Sequence, residues 1–435
     1  MKIATIPQQR QYSTDKCSKR LESRRLVIPI RYETYEKEMD TPEKAVECIQ
    51  KYQSDHPELF PPAMAGGFKL NGWTEPSKKM PDKRLRRIRL LEENEEGKRL
   101  AYTIAPCDLL PYMTGMVDDV EKALFLKQFG VPDWALTDVF GRNDSYWYRQ
   151  AGSFGRYNVV GTTVKDKEKM PEDVLADEKH AKAHGGKWYI GTTVAQECIL
   201  GVSVSTTADA KGLTEAYGQF KEESQQLLPD YTPKTVNTDG WASTGKAWKT
   251  LFPTVTIILC FLHAFIKIRS RCKRLNTFEQ IKQHVWDIYH AVDRVDFNER
   301  IDHLKQWGIA HSASLTTPAL EAIDKLCQRA DQYSVAYDHP TAYRTSNMLD
   351  RHMEPMARWL AGGRYFHGNI HAAELRTRSW ALLHNYRLYC SRAKVSETFR
   401  SPAHKLNGFV YRENWLENLL VASSCQGFRY SHKKR

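Results

Sequence analysis

The order of β-rich and helical segments between residues 174 and 260 constrains this chain more than any other feature. Val174-Leu175-Ala176 is a short apolar run that leads into Asp177. Trp188 to Val194 and Cys198 to Val204 are β-rich and separated only by Ala195-Gln196-Glu197, which predicts a hairpin. Thr214 to Leu228 reads as a helix, with Pro229 and Pro233 punctuating its end. Thr235-Val236-Asn237-Thr238 is a short strand ending at Asp239-Gly240. Trp241 to Leu251 is helical again, and Val255 to Cys260 is an apolar, β-branched strand. Strand, hairpin, helix, strand, helix, strand predicts an α/β fold, a mixed five-stranded sheet with helices packed on it.

The rest of the chain reads as mostly helical. Phe278, Ile281, Val285, Ile288 and Val292 recur at helical spacing, and Phe297, Ile301 and Leu304 continue the pattern on a second helix. These stripes are expected to be core. Thr345 to Leu360 and Ala372 to Tyr386 are further helices, separated by Gly362-Gly363. Towards the N-terminus, Thr41-Pro42-Glu43-Lys44 opens a helix with proline in its first turn. Asp118 to Phe129 and Asp133 to Phe140 are short helices broken by Gly130-Val131-Pro132, with Ser145 to Gln150 beyond Gly141. Helix, glycine-containing turn, helix is the outline of a helix-turn-helix. The expected organisation is a charged region over 1–100 and a helical DNA-binding domain over 101–165. The α/β domain follows over 170–263 and 345–390, an all-helical segment over 264–344, and a basic tail over 391–435.

Charge narrows the partners. Lys and Arg number 64 against 52 Asp and Glu, a net charge of +12, which suits an anionic partner and most often nucleic acid. Lys78 to Arg89 holds seven basic residues in twelve. It is either a solvated helix or an arm whose Arg86 and Arg87 touch phosphates. The most apolar run, Val255 to Ile266, is shorter than the roughly 20 residues a spanning helix needs, so no membrane partner is expected. The first residues lack a long apolar stretch, so no secretory signal is expected. Nine scattered cysteines do not make a disulfide framework and point to a reducing, cytoplasmic setting.

Asp177 follows the first strand and Asp239 the fourth. Carboxylates at the carboxyl ends of neighbouring strands point into one crevice, where open α/β sheets keep their sites. In an RNase H-like fold those two strands are adjacent, so the two aspartates can share a divalent metal. Cys260 and His263 supply only two of the four ligands of a structural zinc site, and no second pair stands at a familiar spacing. Lys267, Arg269, Arg271, Lys273 and Arg274 put five cations in eight residues beside this region and suit a DNA-facing surface. No Gly-x-Gly-x-x-Gly fingerprint supports a nucleotide-dependent metabolic enzyme.

Four pieces of sequence together resemble one family. Ala176-Asp177-Glu178-Lys179-His180, Asn237-Thr238-Asp239-Gly240-Trp241, Cys260-Phe261-Leu262-His263 and Thr345-Ser346-Asn347-Met348-Leu349-Asp350 occur in that order. Asp177 to Tyr386 looks like the catalytic domain of DDE transposases of bacterial insertion sequences, in the Mutator-like branch with a Cys-x-x-His signature. Asp350 stands where that pattern has Glu, and Glu354 and Glu374 are the alternative third acids. The resemblance implies an RNase H-like core with an all-helical insertion and a carboxylate triad of Asp177, Asp239 and Asp350 holding two Mg²⁺ or Mn²⁺ ions. It implies that Cys260, His263 and Trp241 are structural beside the site. The partners implied are DNA, as terminal inverted repeats and target, and a second copy of the chain in a synaptic complex at the bacterial nucleoid. The expected activity is cutting of element ends and joining of the 3′-OH to target DNA. The alternatives are a catalytically inactive, transposase-derived DNA-binding protein and an RNase H-like nuclease.

Overall fold

The computed structural model describes residues 20–183 and 186–430. The N-terminal region is built on strands: β1 (Arg25–Ile28), β2 (Phe68–Trp73), β3 (Arg86–Glu93) and β4 (Arg99–Pro106) form a sheet in the order β1-β4-β3-β2. β1 runs parallel to β4, and the other pairs are antiparallel. This corrects the mainly helical expectation, and the boundary expected at residue 100 falls inside β4. The basic run is a strand because its apolar residues alternate: Ile88 and Leu90 are buried while Arg87 and Arg89 are not. Arg86 shares the inward parity and is 7% exposed, with its guanidinium 4.3 Å from the Trp73 ring centroid. It is therefore not a phosphate contact, and Arg87 sits in the same sheet rather than on an arm.

Helix α1 (Pro42–Asp55) begins as its sequence predicts, with the Thr41 hydroxyl accepting from the Lys44 N–H at 3.4 Å. The two short helices of the expected outline are α2 (Glu121–Lys127) and α3 (Asp133–Phe140), and Ser145–Gln150 falls in a third, α4 (Asp144–Ser153). Trp147 of α4 is buried, and its ring N–H donates to the Gly141 carbonyl at 2.9 Å, fixing the turn between α3 and α4.

The second sheet comprises β5 (Asp173–Ala183), β6 (Gly186–Ala195), β7 (Cys198–Ser205), β8 (Thr235–Thr238) and β9 (Thr256–Leu259), in the order β9-β8-β5-β6-β7. β5, β6 and β7 are antiparallel neighbours, and β8 and β9 run parallel to β5. The β6–β7 hairpin closes through Gln196 and Glu197, both at positive φ (48° and 65°), the turn whose twist matches that of the strands. Helices α5 (Ala210–Leu227) and α6 (Ala242–Leu251) cover one face, where Leu213, Tyr217, Phe220 and Trp248 pack on Val174, Ala176 and Val236.

Between β9 and residue 338 the chain is helical, including α7 (Phe261–Cys272), α8 (Phe278–Tyr289), α9 (Arg294–Ala310) and α10 (Thr317–Gln328). The predicted stripes are its core as far as Ile288: Ile281, Val285 and Ile288 meet Phe297, Ile301, Leu304 and Ile323, whereas Val292, expected on the same face, lies past the end of α8 and is exposed. Helices α11 (Asn347–Gly362) and α12 (Ile370–Tyr386) then cover the other face of the second sheet, where Leu349, Met353 and Met356 pack on Leu175, Ile190 and Val202.

The C-terminal residues expected as a basic tail are in large part packed into the body of the protein. Helix α13 (Trp415–Ala422) is buried along its length, and its Leu416, Leu419 and Leu420 share a core with Leu26, Ile88 and Trp147. Burying each such leucine contributes about 1.5–3 kcal/mol. Arg20–Glu22 and Phe428–Tyr430 pair as a ribbon, so both ends of the described chain join one body. The basic residues 432–435 lie outside the described residues. Among the described residues no helix is long and apolar enough to cross a membrane.

Candidate active site

The parallel register of β5 and β8 builds the site. Leu175 pairs with Asn237 as their last rung. Two residues further on stand Asp177, still in β5, and Asp239, the first residue past β8, which places them alongside each other at this edge. Asp177 is not at a strand end as expected. β5 runs on to Ala183 in its hairpin with β6, and only the pairing with β8 ends before Asp177. After Asp239 the chain turns at Gly240, whose φ of +85° favours glycine. The Asp239 carboxylate accepts from the Trp241 N–H at 2.7 Å, and the Trp241 ring lies 6.3 Å from His180 and 6.2 Å from Tyr189.

Helix α11 is fastened to this edge by a series of short contacts. The Asn237 amide donates to the Tyr343 carbonyl at 2.8 Å, and the Phe261 N–H donates to the Arg344 carbonyl at 3.0 Å. The Ser346 N–H donates to Cys260 Sγ at 3.1 Å, and the Cys260 thiol donates to Ser346 Oγ at 3.2 Å. Ser346 Oγ in turn donates to Asp350 Oδ2 at 3.1 Å, and His263 Nδ1 is 3.5 Å from the same hydroxyl. Cys260 and His263 thus latch onto the Ser346 hydroxyl that bonds Asp350; the resemblance implied a structural place for both beside the site. Ser346 completes the latch, and its role was not read from the sequence.

The three acids share one electrostatic neighbourhood. All are half-buried. Burial, and then the charges of Asp239 and Asp350, push the Asp177 carboxyl up to about 6, against the Glu178 N–H and His263, which lower it. His263 is raised to about 9 by its hydrogen bond to Cys260, with Asp177 and Asp239 adding to the shift and burial opposing it. Burial opposes ionisation of Cys260, but His263 and Ser346 bring its pKa below the ordinary thiol value. Of the alternative acids, Glu354 is exposed and 3.6 Å from Arg358, and Glu374 is half-buried on α12.

Glu178 points to the opposite face of β5. Its Oε1 accepts from Tyr217 and from Thr244, each at 2.7 Å, and burial raises its carboxyl to about 7. The motif match gave no sign of this second buried acid.

A cleft of about 330 Å³ opens from Asp239 and His263 between α7 and α10. Lys267 and Arg271 of α7 line it, one helical turn apart, as do Lys325 of α10 and Arg329 at its end. The Arg329 guanidinium lies against Gly240, where an added Cβ would stand 3.0 Å from it. Arg269, Lys273 and Arg274 are exposed and do not line the cleft. Lys325 and Arg329 were missed because they lie more than 50 residues beyond the basic run; their i,i+4 spacing was the only signal.

Among the described residues no three His, Cys, Asp or Glu side chains stand compactly enough to hold one metal ion as they are arranged. In chemistry alone, Asp177, Asp239 and Asp350 offer the carboxylate oxygens that a hard divalent cation takes, with Asp177 made reluctant to ionise by burial and then by the charges of the other two. No model of a known protein family matches this chain, and no curated protein matches it.

Proposed function

We propose that the protein is a DDE-type transposase that cuts the ends of its element and joins them to target DNA. The observation that carries this reading is the register of Asp177 beside Asp239, with the Cys260–Ser346 latch bringing Asp350 to the same edge. The strand order, with the first strand between the second and the fourth, supports an RNase H-like core. The helices between β9 and α11, with a core of their own, support an all-helical insertion. Three short helices, α2 to α4, support a helix-turn-helix that recognises DNA ends.

Asp177, Asp239 and Asp350 would hold two Mg²⁺ or Mn²⁺ ions, which when bound activate the attacking oxygen and stabilise the leaving one. The chain's own residues do the rest. Lys267, Arg271, Lys325 and Arg329 grip phosphates in the cleft and lead the strand to Asp239. Protonated His263 offsets the charge of Asp177 and Asp239. In the first step water attacks a phosphorus at the element end, the P–O3′ bond breaks, and a free 3′-OH remains. In the second that hydroxyl attacks a phosphorus of target DNA and displaces a target 3′-oxygen. Two ends must be held together, which favours a dimer or larger assembly.

The test uses the full chain and linear DNA carrying the sequences that flank its gene. Asp177→Ala, Asp239→Ala and Asp350→Asn should abolish nicking and joining while DNA binding persists, whereas Glu354→Gln should not. Near-normal cleavage by the Asp177 or Asp239 variant, or activity after exhaustive EDTA treatment, refutes the assignment. Cleavage without joining to target would mark a nuclease instead.

A further inference from the structure

Two cavities away from the acids form one groove. The larger, about 460 Å³, lies between the β1 edge, the Leu110–Met113 loop and the end of α4. The second, about 300 Å³, lies between α4 and α12. Both are lined by Pro111, Tyr112, Ser153 and Arg156, so they meet at Tyr112.

The lining is charged with one sign. Lys79, Arg24, Arg25, Arg149, Arg156 and Arg376 face the two cavities, against Glu22 as the acid among their lining residues. Arg25 is the deepest: one terminal nitrogen donates to the Leu109 carbonyl at 2.5 Å, while Nε and the other terminal nitrogen are closed to water and meet no acceptor in good geometry.

Aromatic rings alternate with these cations. Tyr112 is 62% exposed at the junction, and it and Met113 have left-handed φ angles of 59° and 51°. Arg156 donates to the Tyr112 hydroxyl at 3.1 Å, and Arg376 lies 4.9 Å from the Tyr148 ring centroid. Tyr146 lines the same stretch.

We propose that this groove binds unpaired nucleotides of a DNA strand, with the tyrosines stacking on bases and the arginines holding phosphates. A polyanion without rings would use the cations and leave the exposed tyrosine idle. A duplex keeps its base faces stacked and out of reach of Tyr112. Groove and rings together therefore select single-stranded nucleic acid. The choice of DNA as occupant rests on the proposed function.

The test measures binding by the full chain, in EDTA so that nothing is cut, of a labelled mixed-sequence single strand and of the same sequence as a blunt duplex. Polyphosphate serves as the ringless control. Tyr112→Ala should weaken single-strand binding about 10-fold or more, since one stacked base is worth that much, and Tyr112→Phe should restore it. Arg156→Ala should weaken binding and lower the salt slope by about one unit. Unchanged strand binding in both variants overturns the groove. So does a loss in Tyr112→Ala that is matched on polyphosphate, which would leave a phosphate site only. If the groove variants bind normally while Asp177→Asn abolishes cleavage, the groove alone is wrong. If they fail as expected while Asp177→Asn still cleaves, the enzymatic reading is wrong.

Discussion

Replacing Arg378 with methionine should destabilise the protein by about 4 kcal/mol. Arg378 lies on α12 and is 1% exposed. Its guanidinium donates to the Gly155 carbonyl at 3.1 Å, to the Tyr157 carbonyl at 2.8 Å and to Glu223 of α5. The other carboxylate oxygen of Glu223 accepts from the Val159 N–H at 2.6 Å, so the pair joins α12, α5 and the 155–160 segment. Methionine fills much of the volume but strands two carbonyls and a buried carboxylate. Breaking a buried ion pair from one side, with the groups it leaves unpaired, costs about 3–5 kcal/mol. The carboxylate keeps the Val159 N–H and the Gln219 amide at 2.9 Å, which holds the total near the middle of that range. Against a typical stability of about 5–15 kcal/mol, that is a large fraction. Glu223→Gln should cost about 3 kcal/mol for the same reason in reverse. The double variant, with no charge left unpaired, should cost at least about 2 kcal/mol less than the sum. Urea unfolding followed by tryptophan fluorescence gives these differences from the midpoint shift at constant slope. A cost below about 1 kcal/mol for Arg378→Met, or strict additivity in the double variant, would refute the reasoning.

Three further outcomes are expected. Lys165 is buried, donates to the Gly161 and Ala422 carbonyls at 3.0 and 2.9 Å, and is held by burial at a pKa of about 8. The unfolded chain holds that proton more tightly, so stability should rise by on the order of 2–3 kcal/mol between pH 8 and 10.5, and Lys165→Met should flatten the rise in urea midpoints. Ser346→Ala removes the hydroxyl between Cys260 and Asp350, so strand cleavage should fall about 10-fold or more with DNA binding and melting temperature little changed. Equal activity would show that Asp350 is set by other contacts. Gly155 packs so closely that an added Cβ would stand 1.9 Å from the Leu375 carbonyl, and Gly155→Ala should cost about 2 kcal/mol or more by thermal melting.

Strand and helix in the second sheet were legible because each segment carries its own period. The hairpin, the helix from 278 and the helices of residues 347–386 came out within a few residues of expectation, since local alternation and helical spacing depend only on neighbours along the chain. The basic run at Lys78–Arg89 misled for a definite reason. Its strand period is visible, but only burial against Trp73 decides that Arg86 faces inward, and Trp73 belongs to another strand. The tail misled likewise, because Trp415 and its leucines are bound by a core whose other half lies nearly 400 residues earlier. In the same way, adjacent motif positions nominated Asp177, Asp239 and Asp350, but only the parallel register and the Cys260–Ser346 contact bring them to one edge. Pairing across 60 to 170 residues is a tertiary event, decided by which faces bury each other and invisible to any local pattern. The same holds for Lys325, Arg329 and the Tyr112 groove, which exist as sites only once separate elements meet.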